Sequence, residues 1–207
     1  MIRPRPGSFV YSDNELDVML ADILAAKDEG AYGVVFGCLT QDGEVDTAAC
    51  ERLVQAARPL EVTYHRAFDV TSDWRRACDA VASVPGITRI LTSGHARTAL
   101  EGLEELEQLT TYIRQKGYKL KLLPGSGINP ASLDELYHRY GLFNEAHLSS
   151  GGAVKPPIDP MLARGHLLGF GTGEMWRLDP NKLAGVRGIV DMINERDEGA
   201  SYARGGP

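Results

Sequence analysis

The stretch Val62-Thr63-Tyr64-His65-Arg66-Ala67-Phe68-Asp69 decides how this chain is expected to fold. Its first residues are β-branched or aromatic, as in a strand, and its last residues include charged and reactive groups, as in the loop after a strand. Because side chains alternate along a strand, Thr63 and His65 are predicted to face the side opposite the helix layer. The stretch therefore predicts a buried strand with functional groups at its carboxyl end.

Five further segments show an apolar run that ends in polar residues: 2–5, 33–37, 90–93, 120–124 and 145–149. Each is followed by apolar residues at helical spacing, which predicts βα units around a parallel sheet. A complete (β/α)8 barrel has eight strands, and only six are found here. The predicted fold class is therefore α/β, an incomplete TIM-barrel-like architecture of six βα units with two open sheet edges.

The length of 207 residues suits one domain. We expect a single partial-barrel domain over 1–198, interrupted by a long loop over 153–178 that is rich in proline and glycine. Residues 199–207 are predicted to form a disordered tail. Helix starts are marked by Ser12 with Glu15, which fit a capping box.

The composition excludes several classes of protein. The net charge of −6, without a block of lysine or arginine, argues against a nucleic-acid partner. No apolar run is long enough to span a bilayer, and the start of the chain lacks the apolar region of a signal peptide. Three scattered cysteines favour a reduced, cytoplasmic setting. No nucleotide cofactor is indicated.

The residues after the strand at 62–66 are the densest group of reactive side chains. His65 is a candidate general acid or base or a metal ligand, and Arg66 is suited to hold a carboxylate or phosphate. Asp69 is a candidate to orient either one, while the alternative is an Arg66–Asp69 ion pair that shapes the loop. Strand alternation also points Glu145 and His147 inward, and it predicts that Lys121 pairs with Glu145 because buried charges need partners.

Glycines follow two later strands in a way that suits an anion. The segment 124–129 lies between a strand and a helix capped by Asn129, where backbone amides can approach a phosphate. Ser149, at the end of the last strand, can complete that cradle, and Thr92 with Ser93 repeats the theme. The alternative for each segment is an ordinary tight turn.

Several segments in this order resemble the CutC copper-homeostasis family. The resemblance covers about residues 1–150, and also 175–195 less closely. It rests on Met1-Ile2-Arg3-Pro4-Arg5, Gly33-Val34-Val35-Phe36-Gly37, His65-Arg66-Ala67-Phe68-Asp69, Arg89-Ile90-Leu91-Thr92-Ser93-Gly94 and Pro124-Gly125-Ser126-Gly127.

The resemblance implies a cytosolic (β/α)8 barrel linked to copper tolerance and copper binding. It also implies that the six units found here are strands three to eight, and that the family's first two βα units are missing. The chain is therefore expected to be a shortened isoform or the product of a truncated gene model. The longer segment at 153–178 suggests a eukaryotic member.

Two functions follow as hypotheses, with enzymatic activity left open. In the first, the protein handles copper, as Cu(I), through Cys38, His65 and His147. In the second, it is an enzyme or former enzyme acting on a small anionic or phosphorylated metabolite, with His65, Asp69 or Glu145 in catalysis. The anion-binding candidates are Arg3, Arg5, Arg66, Thr92, Ser93, Gly125, Ser126, Gly127 and Ser149.

The partners expected are a copper ion or a small anionic ligand, together with further copies of the chain in a homo-oligomer. A third hypothesis is that the shortened chain is non-functional, or binds a full-length copy through its open edges.

Overall fold

The structure, a computed structural model, describes residues 1–140, 145–155, 157, 160–169, 171 and 174–204. Helices and strands alternate over most of that length. In chain order they are α1 Asp13–Asp28, β1 Gly33–Phe36, α2 Thr47–Ala57, β2 Glu61–Tyr64, a 3-10 helix Arg66–Val70, α3 Trp74–Ser83, β3 Ile87–Thr92, α4 Leu103–Lys116, β4 Lys121–Pro124, α5 Pro130–Tyr140, β5 Gly151–Val154, α6 Pro160–Leu167, β6 Met175–Leu178 and α7 Pro180–Arg204.

The first four strands form one parallel sheet in the order β1-β2-β3-β4. Each strand pairs with the next one in sequence, as Val34 pairs with Val62 and Ile90 with Leu122. Helical connections between neighbouring parallel strands produce this sequential order, which is also the order of strands in a barrel. The α/β prediction is confirmed, and over the described residues the sheet does not close into a barrel.

The two outer predicted strands, residues 2–5 and 145–149, flank this sheet but form few hydrogen bonds with it. Ile2 donates its amide to the Val35 carbonyl at 2.8 Å, and His147 donates to the Pro124 carbonyl at 2.9 Å. Proline has no N–H to give to a ladder, so Pro4 and Pro6 prevent residues 2–5 from continuing as a strand. The six segments therefore lie side by side as predicted, while only the inner four are strands.

Residues 62–65 are all buried, so burial does not alternate along β2, although Tyr64 and His65 have different surroundings. Tyr64 is fully buried in the main core and donates its hydroxyl to the Cys38 carbonyl at 2.8 Å. His65, one residue later, is buried on the opposite side. The main core packs α1 to α3 and part of α4 against the sheet, and a second cluster joins α4, α5 and α7 through residues such as Leu106, Leu136 and Val186.

The C-terminal part differs from the expected loop and tail. Within 153–178, β5 and β6 pair as an antiparallel hairpin and α6 lies between them. Residues 199–204, expected to be disordered, continue α7, because extending a helix costs less than starting one. Residues 205–207 of that tail lie outside the described part of the chain. No helix of the described residues is both long and apolar enough to cross a membrane.

Candidate functional site

A cavity of about 640 Å³ lies at the carboxyl ends of the strands, and we call it the strand-end pocket. This is the end at which α/β proteins bind ligands, and the volume is in the range of small-molecule sites. Its lining combines imidazole and guanidinium groups with apolar side chains. It is formed by Met1, Arg3, Phe9, His65, Arg66, Asp69, Val70, Leu91, His95, Ala96, Arg97 and His147.

His65 is held by the turn that follows β2. Its side chain is 3% exposed, and its Nδ1 accepts the Ala67 amide at 3.2 Å as the cap of the 3-10 helix. Because Nδ1 accepts, the ring proton of the neutral imidazole lies on Nε2, which has no partner among the described residues. Burial, followed by the positive charge of Arg3, lowers the pKa of His65 to about 4. His65 is therefore a neutral hydrogen-bond donor at physiological pH.

Asp69 organises the loops beside His65. Its carboxylate is 5% exposed and accepts the Arg66 Nε at 2.7 Å, the Ser93 amide at 3.0 Å and the Thr92 hydroxyl. Arg66 also donates from Nη2 to the Ser93 hydroxyl at 2.7 Å. The predicted ion pair between Arg66 and Asp69 is therefore present. Of the three guanidinium nitrogens of Arg66, Nη1 has no acceptor among the described residues. Thr92 and Ser93 donate hydrogen bonds to Asp69, and neither residue lines the pocket.

Arg3 enters the pocket from the segment that flanks β1. Its guanidinium lies 4.5 Å from the centre of the Phe9 ring and donates from Nη2 to the Gly7 carbonyl at 2.8 Å. Phe9 also contacts His65 edge-on, with ring centres 4.9 Å apart. One aromatic ring thus positions both an arginine and a histidine of the pocket. Phe9 was not among the predicted site residues.

His95 is a pocket residue that sequence reasoning missed. Its backbone is left-handed, with φ of 58° after Gly94 at 69°, and its ring packs edge-on to Phe68 at 5.4 Å. Its Nε2 is buried without a protein partner, and burial lowers the pKa of His95 against the opposing effect of Asp69. The signal was the segment 92–95, where hydroxyls and a glycine at a strand end precede the histidine.

Arg5, predicted to bind an anion, lies outside the pocket lining and is already paired. Its Nε donates to the Glu15 carboxylate at 2.5 Å, and its other nitrogens donate to the Ser8 and Val10 carbonyls at 2.7 and 2.8 Å. Arg5 therefore fastens the segment before α1 to that helix.

The glycine segment after β4 also lies outside the pocket lining. Ser126 and Gly127 are both left-handed, and Ser126 donates its hydroxyl to the Arg97 carbonyl at 2.6 Å. The first amides of α5 are occupied, because the Asn129 side chain accepts from Ala131 and Ser132 at 3.0 and 3.1 Å. Gly125 pairs with His147, and Ser149 is exposed. The structure does not bring these residues together as an open phosphate cradle.

Glu145 lies away from the pocket, at the amino ends of the strands. Lys121 contacts it at 3.5 Å, as predicted, but Arg89 is the closer partner, at 2.7 Å from Nε to Oε2. Arg89 also pairs with Glu61 at the start of β2. Hydrogen bonds from Arg89 lower the pKa of Glu145. A carboxylate fixed in this network is not available as a proton carrier in the pocket.

The three candidate metal ligands are divided between two places. His65 and His147 line the pocket, whereas Cys38 is buried in the main core and absent from the lining. Hydrogen bonding to the Cys50 thiol, together with burial, raises the pKa of Cys38. A thiol with a raised pKa is a poor metal ligand at neutral pH. Within the described residues, no group of three or more His, Cys, Asp or Glu side chains is arranged to hold a metal ion.

The comparisons with known proteins agree with the resemblance in sequence. The model of the CutC family matches residues 1–152. A mouse protein named copper homeostasis protein cutC homolog is 45% identical over 150 residues, which is 72% of this chain and 53% of the relative. The human protein of the same name is 44% identical over the same shares. The matched region thus spans about half the length of these relatives.

A solved structure shows the same similarity in three dimensions. A putative copper homeostasis protein CutC from Streptococcus agalactiae superimposes with a TM-score of 0.64 at 33% identity, covering 70% of this chain and 69% of the other. The match to the family model covers well over half of the chain and includes every residue of the strand-end pocket. The chain therefore belongs to the CutC family.

Proposed function

We propose that the strand-end pocket binds a small anionic molecule, on which the protein acts or once acted as an enzyme. The observation that carries the proposal is that Arg3, His65 and His95 each place a buried nitrogen without a protein partner among the residues lining one cavity. Buried polar atoms in native proteins almost always have a partner, so unpartnered ones grouped in a cavity indicate a missing ligand.

The charges around the pocket support an anion rather than a cation. Arg3 has no acidic partner among the described residues, and the Arg66 guanidinium stands at the same cavity. The carboxylate of Asp69 is 5% exposed and enclosed by its hydrogen bonds, so it contributes little repulsion. An arginine with free donors is suited to hold a carboxylate or a phosphate.

The test is a thermal melt of the protein with and without small anions, both carboxylates and phosphates. A ligand that binds only the folded state raises the melting temperature, and the rise grows with the logarithm of its concentration relative to its dissociation constant. We expect a rise with an anion that Arg3→Ala removes. Arg52→Ala is the matched control, because Arg52 forms exposed ion pairs with Asp13 and Asp17 outside the pocket. Equal shifts in both variants would refute the proposal.

Copper handling is the second candidate, and the names of the mouse and human relatives favour it. In this chain His65 and His147 line the same cavity, whereas Cys38 is buried in the main core and does not line it. The melt is therefore repeated with Cu(I) under reducing conditions. Loss of a Cu(I) shift in Cys38→Ala would support a thiol site, and loss in His147→Ala would support an imidazole site.

We also propose a cytoplasmic setting and self-association. All three cysteines are buried and unpaired with one another as disulfides, in keeping with a reducing compartment. Exposed apolar side chains gather on the C-terminal hairpin and α6, including Trp176 at 64% and Leu167 at 85% exposure. Exposed apolar groups on adjoining elements favour a contact with a second copy.

A further inference from the structure

His65 and Arg3 supply the hydrogen-bond donors of the strand-end pocket that this inference uses. His65 contributes one N–H from a neutral ring, fixed because its other nitrogen accepts the Ala67 amide. Arg3 contributes the donors that remain after one N–H has gone to the Gly7 carbonyl. Both side chains contact the Phe9 ring, so their donors are held in a fixed relation to one another. Such a pair suits a planar group with two oxygens.

Of the three arginines that line the pocket, two are paired with carboxylates among the described residues and one is not. Arg66 is paired with Asp69 at 2.7 Å, and Arg97 is paired with Glu101 at 3.3 Å. Among the described residues Arg3 is the lining arginine without an acidic partner. The histidines add no charge, because burial keeps His65 and His95 neutral. A ligand with one negative charge balances this pocket, whereas a phosphate monoester carries −1.5 to −2 at neutral pH.

The backbone features that usually accompany phosphate binding are already occupied. Phosphates favour the free amides of a helix N-terminus or a glycine loop. Here the first amides of α5 bind the Asn129 side chain, and the segment 125–127 is not part of the lining. The remaining walls are apolar, formed by Phe9, Val70 and Leu91. These walls suit the carbon skeleton of a ligand better than a hydrated phosphate.

We infer that the natural ligand is a small monocarboxylate with an apolar body, whose carboxylate is held by Arg3 and His65 while its body contacts Phe9, Val70 and Leu91. This inference rests on the proposed anion-binding function and narrows it to one chemical class. In this inference Arg66 contributes less to binding than Arg3, because most of its N–H groups already donate to Asp69, Ser93 and the Ala96 carbonyl.

The test compares two probes that share a phenyl ring, one with a carboxylate and one with a phosphate. Benzoate and phenyl phosphate are titrated calorimetrically into the full chain at pH 7, with pyruvate and inorganic phosphate as smaller counterparts. We expect benzoate to bind at least about tenfold more tightly than phenyl phosphate, because the second phosphate charge has no partner in the pocket. This comparison requires no substitution, so it does not depend on whether a variant folds.

A variant then locates the carboxylate. Arg3→Gln removes the charge and is expected to weaken benzoate binding by at least about tenfold, the usual effect of losing a hydrogen bond to a charged group. Arg52→Gln, at an exposed arginine on α2, is the matched control and should leave the dissociation constant unchanged.

Three outcomes separate the inference from the function on which it rests. Tighter binding of benzoate, lost in Arg3→Gln, supports the inference. Equal or tighter binding of the phosphates overturns it and leaves the anion-binding function in place. Failure of every carboxylate and phosphate to bind overturns both.

Discussion

At the scale of the residue, His65 is defined by what surrounds it. It follows a buried strand, caps the 3-10 helix with one nitrogen and leaves the other nitrogen buried without a partner among the described residues. Gly37 makes room for the ring, because a Cβ at that position would lie 2.5 Å from Nδ1. The same imidazole in an exposed loop would titrate near 6.5 and would not serve as a fixed neutral donor.

The buried histidine predicts an acid-sensitive fold. The pKa of His65 is about 4 in the folded protein, whereas an unburied histidine has a pKa of 6.5. Between these two pH values, the imidazole is protonated in the unfolded chain and neutral in the folded one. The free energy of unfolding should therefore fall by roughly 2–3 kcal/mol as the pH drops from 7 to 4. Urea unfolding across that range measures it.

Two variants isolate the contribution of His65 to this pH dependence. His65→Asn should flatten the curve, whereas His166→Asn, at an exposed histidine on α6, should leave it unchanged. The account of His65 would fail if wild type and His65→Asn lost stability equally on acidification.

Gly37→Ala should disturb the pocket directly. The added methyl group would press on the His65 ring and come within 3.1 Å of the Tyr64 ring. We expect a loss of about 1–3 kcal/mol in stability, as for other overpacked cores, together with weaker anion binding. Gly188→Ala is the matched control, since a methyl group there meets nothing within 4 Å on helix α7. Chemical unfolding and calorimetric titration of both variants would test this, and equal effects would contradict it.

At the scale of the element, the two ends of the parallel sheet have different tasks. The carboxyl ends present unpartnered donors to the pocket, whereas the amino ends carry the network of Arg89 with Glu61 and Glu145. This division follows from the parallel direction of all four strands, which brings equivalent ends together. The proposed binding site is therefore at the carboxyl ends of the strands, and the network of ion pairs is at their amino ends.

Glu145→Gln tests this division. The change removes the negative charge that Arg89 and Lys121 share, and we expect it to reduce the free energy of unfolding by about 1–2 kcal/mol. Anion affinity should not change, because Glu145 does not line the pocket. Denaturant unfolding and calorimetry on the same sample measure both quantities. If Glu145→Gln lowered the anion affinity and left the free energy of unfolding unchanged, Glu145 would belong to the binding site and this division would be wrong.

Sequence patterns predicted the inner strands well and the outer segments less well. Alternation placed Tyr64 and His65 correctly, and the pairing of Lys121 with Glu145 is confirmed. Alternation holds only inside a paired strand, however, and residues 145–149 make a single bridge at His147. His147 and Ser149 are accordingly both exposed, although His147 also lines the pocket.

The site residues show the same limit. Arg3 and Arg66 could be predicted because each directly follows a strand or strand-like segment. The role of Arg5 could not, because it depends on the way α1 returns to place Glu15 beside it. His95 was missed because a left-handed turn, invisible in the pattern of hydrophobic residues, directs its ring.

At the scale of the whole molecule, the match to the CutC family model ends at residue 152, close to the start of the hairpin of β5 and β6. The four-stranded sheet and the pocket lie within that region, while a group of exposed apolar side chains on β5, α6 and β6 lies at or beyond its end. The conserved fold and the candidate site are thus contained in the shared region, and the C-terminal elements add an apolar surface.

If that surface joins two copies, Trp176→Ser should weaken self-association. The Trp176 side chain is 64% exposed on β6, so its removal should cost little stability. Sedimentation velocity over a range of concentrations measures the effect, with Leu24→Ser on α1, at 50% exposure, as the matched control. A wild-type protein that stays monomeric at high concentration would rule out this interface.

The most direct test of the central claim observes the His65 ring itself. Nuclear magnetic resonance of ¹⁵N-labelled protein distinguishes the two ring nitrogens, and the structure predicts a neutral ring with its proton on Nε2. On titration with benzoate, the Nε2 signal should shift saturably in wild type and in Arg52→Gln, whereas Arg3→Gln should need at least about tenfold more benzoate for the same shift. A ring that carries its proton on Nδ1, or an Nε2 signal that no anion moves, would contradict the assignment of the strand-end pocket as an anion site.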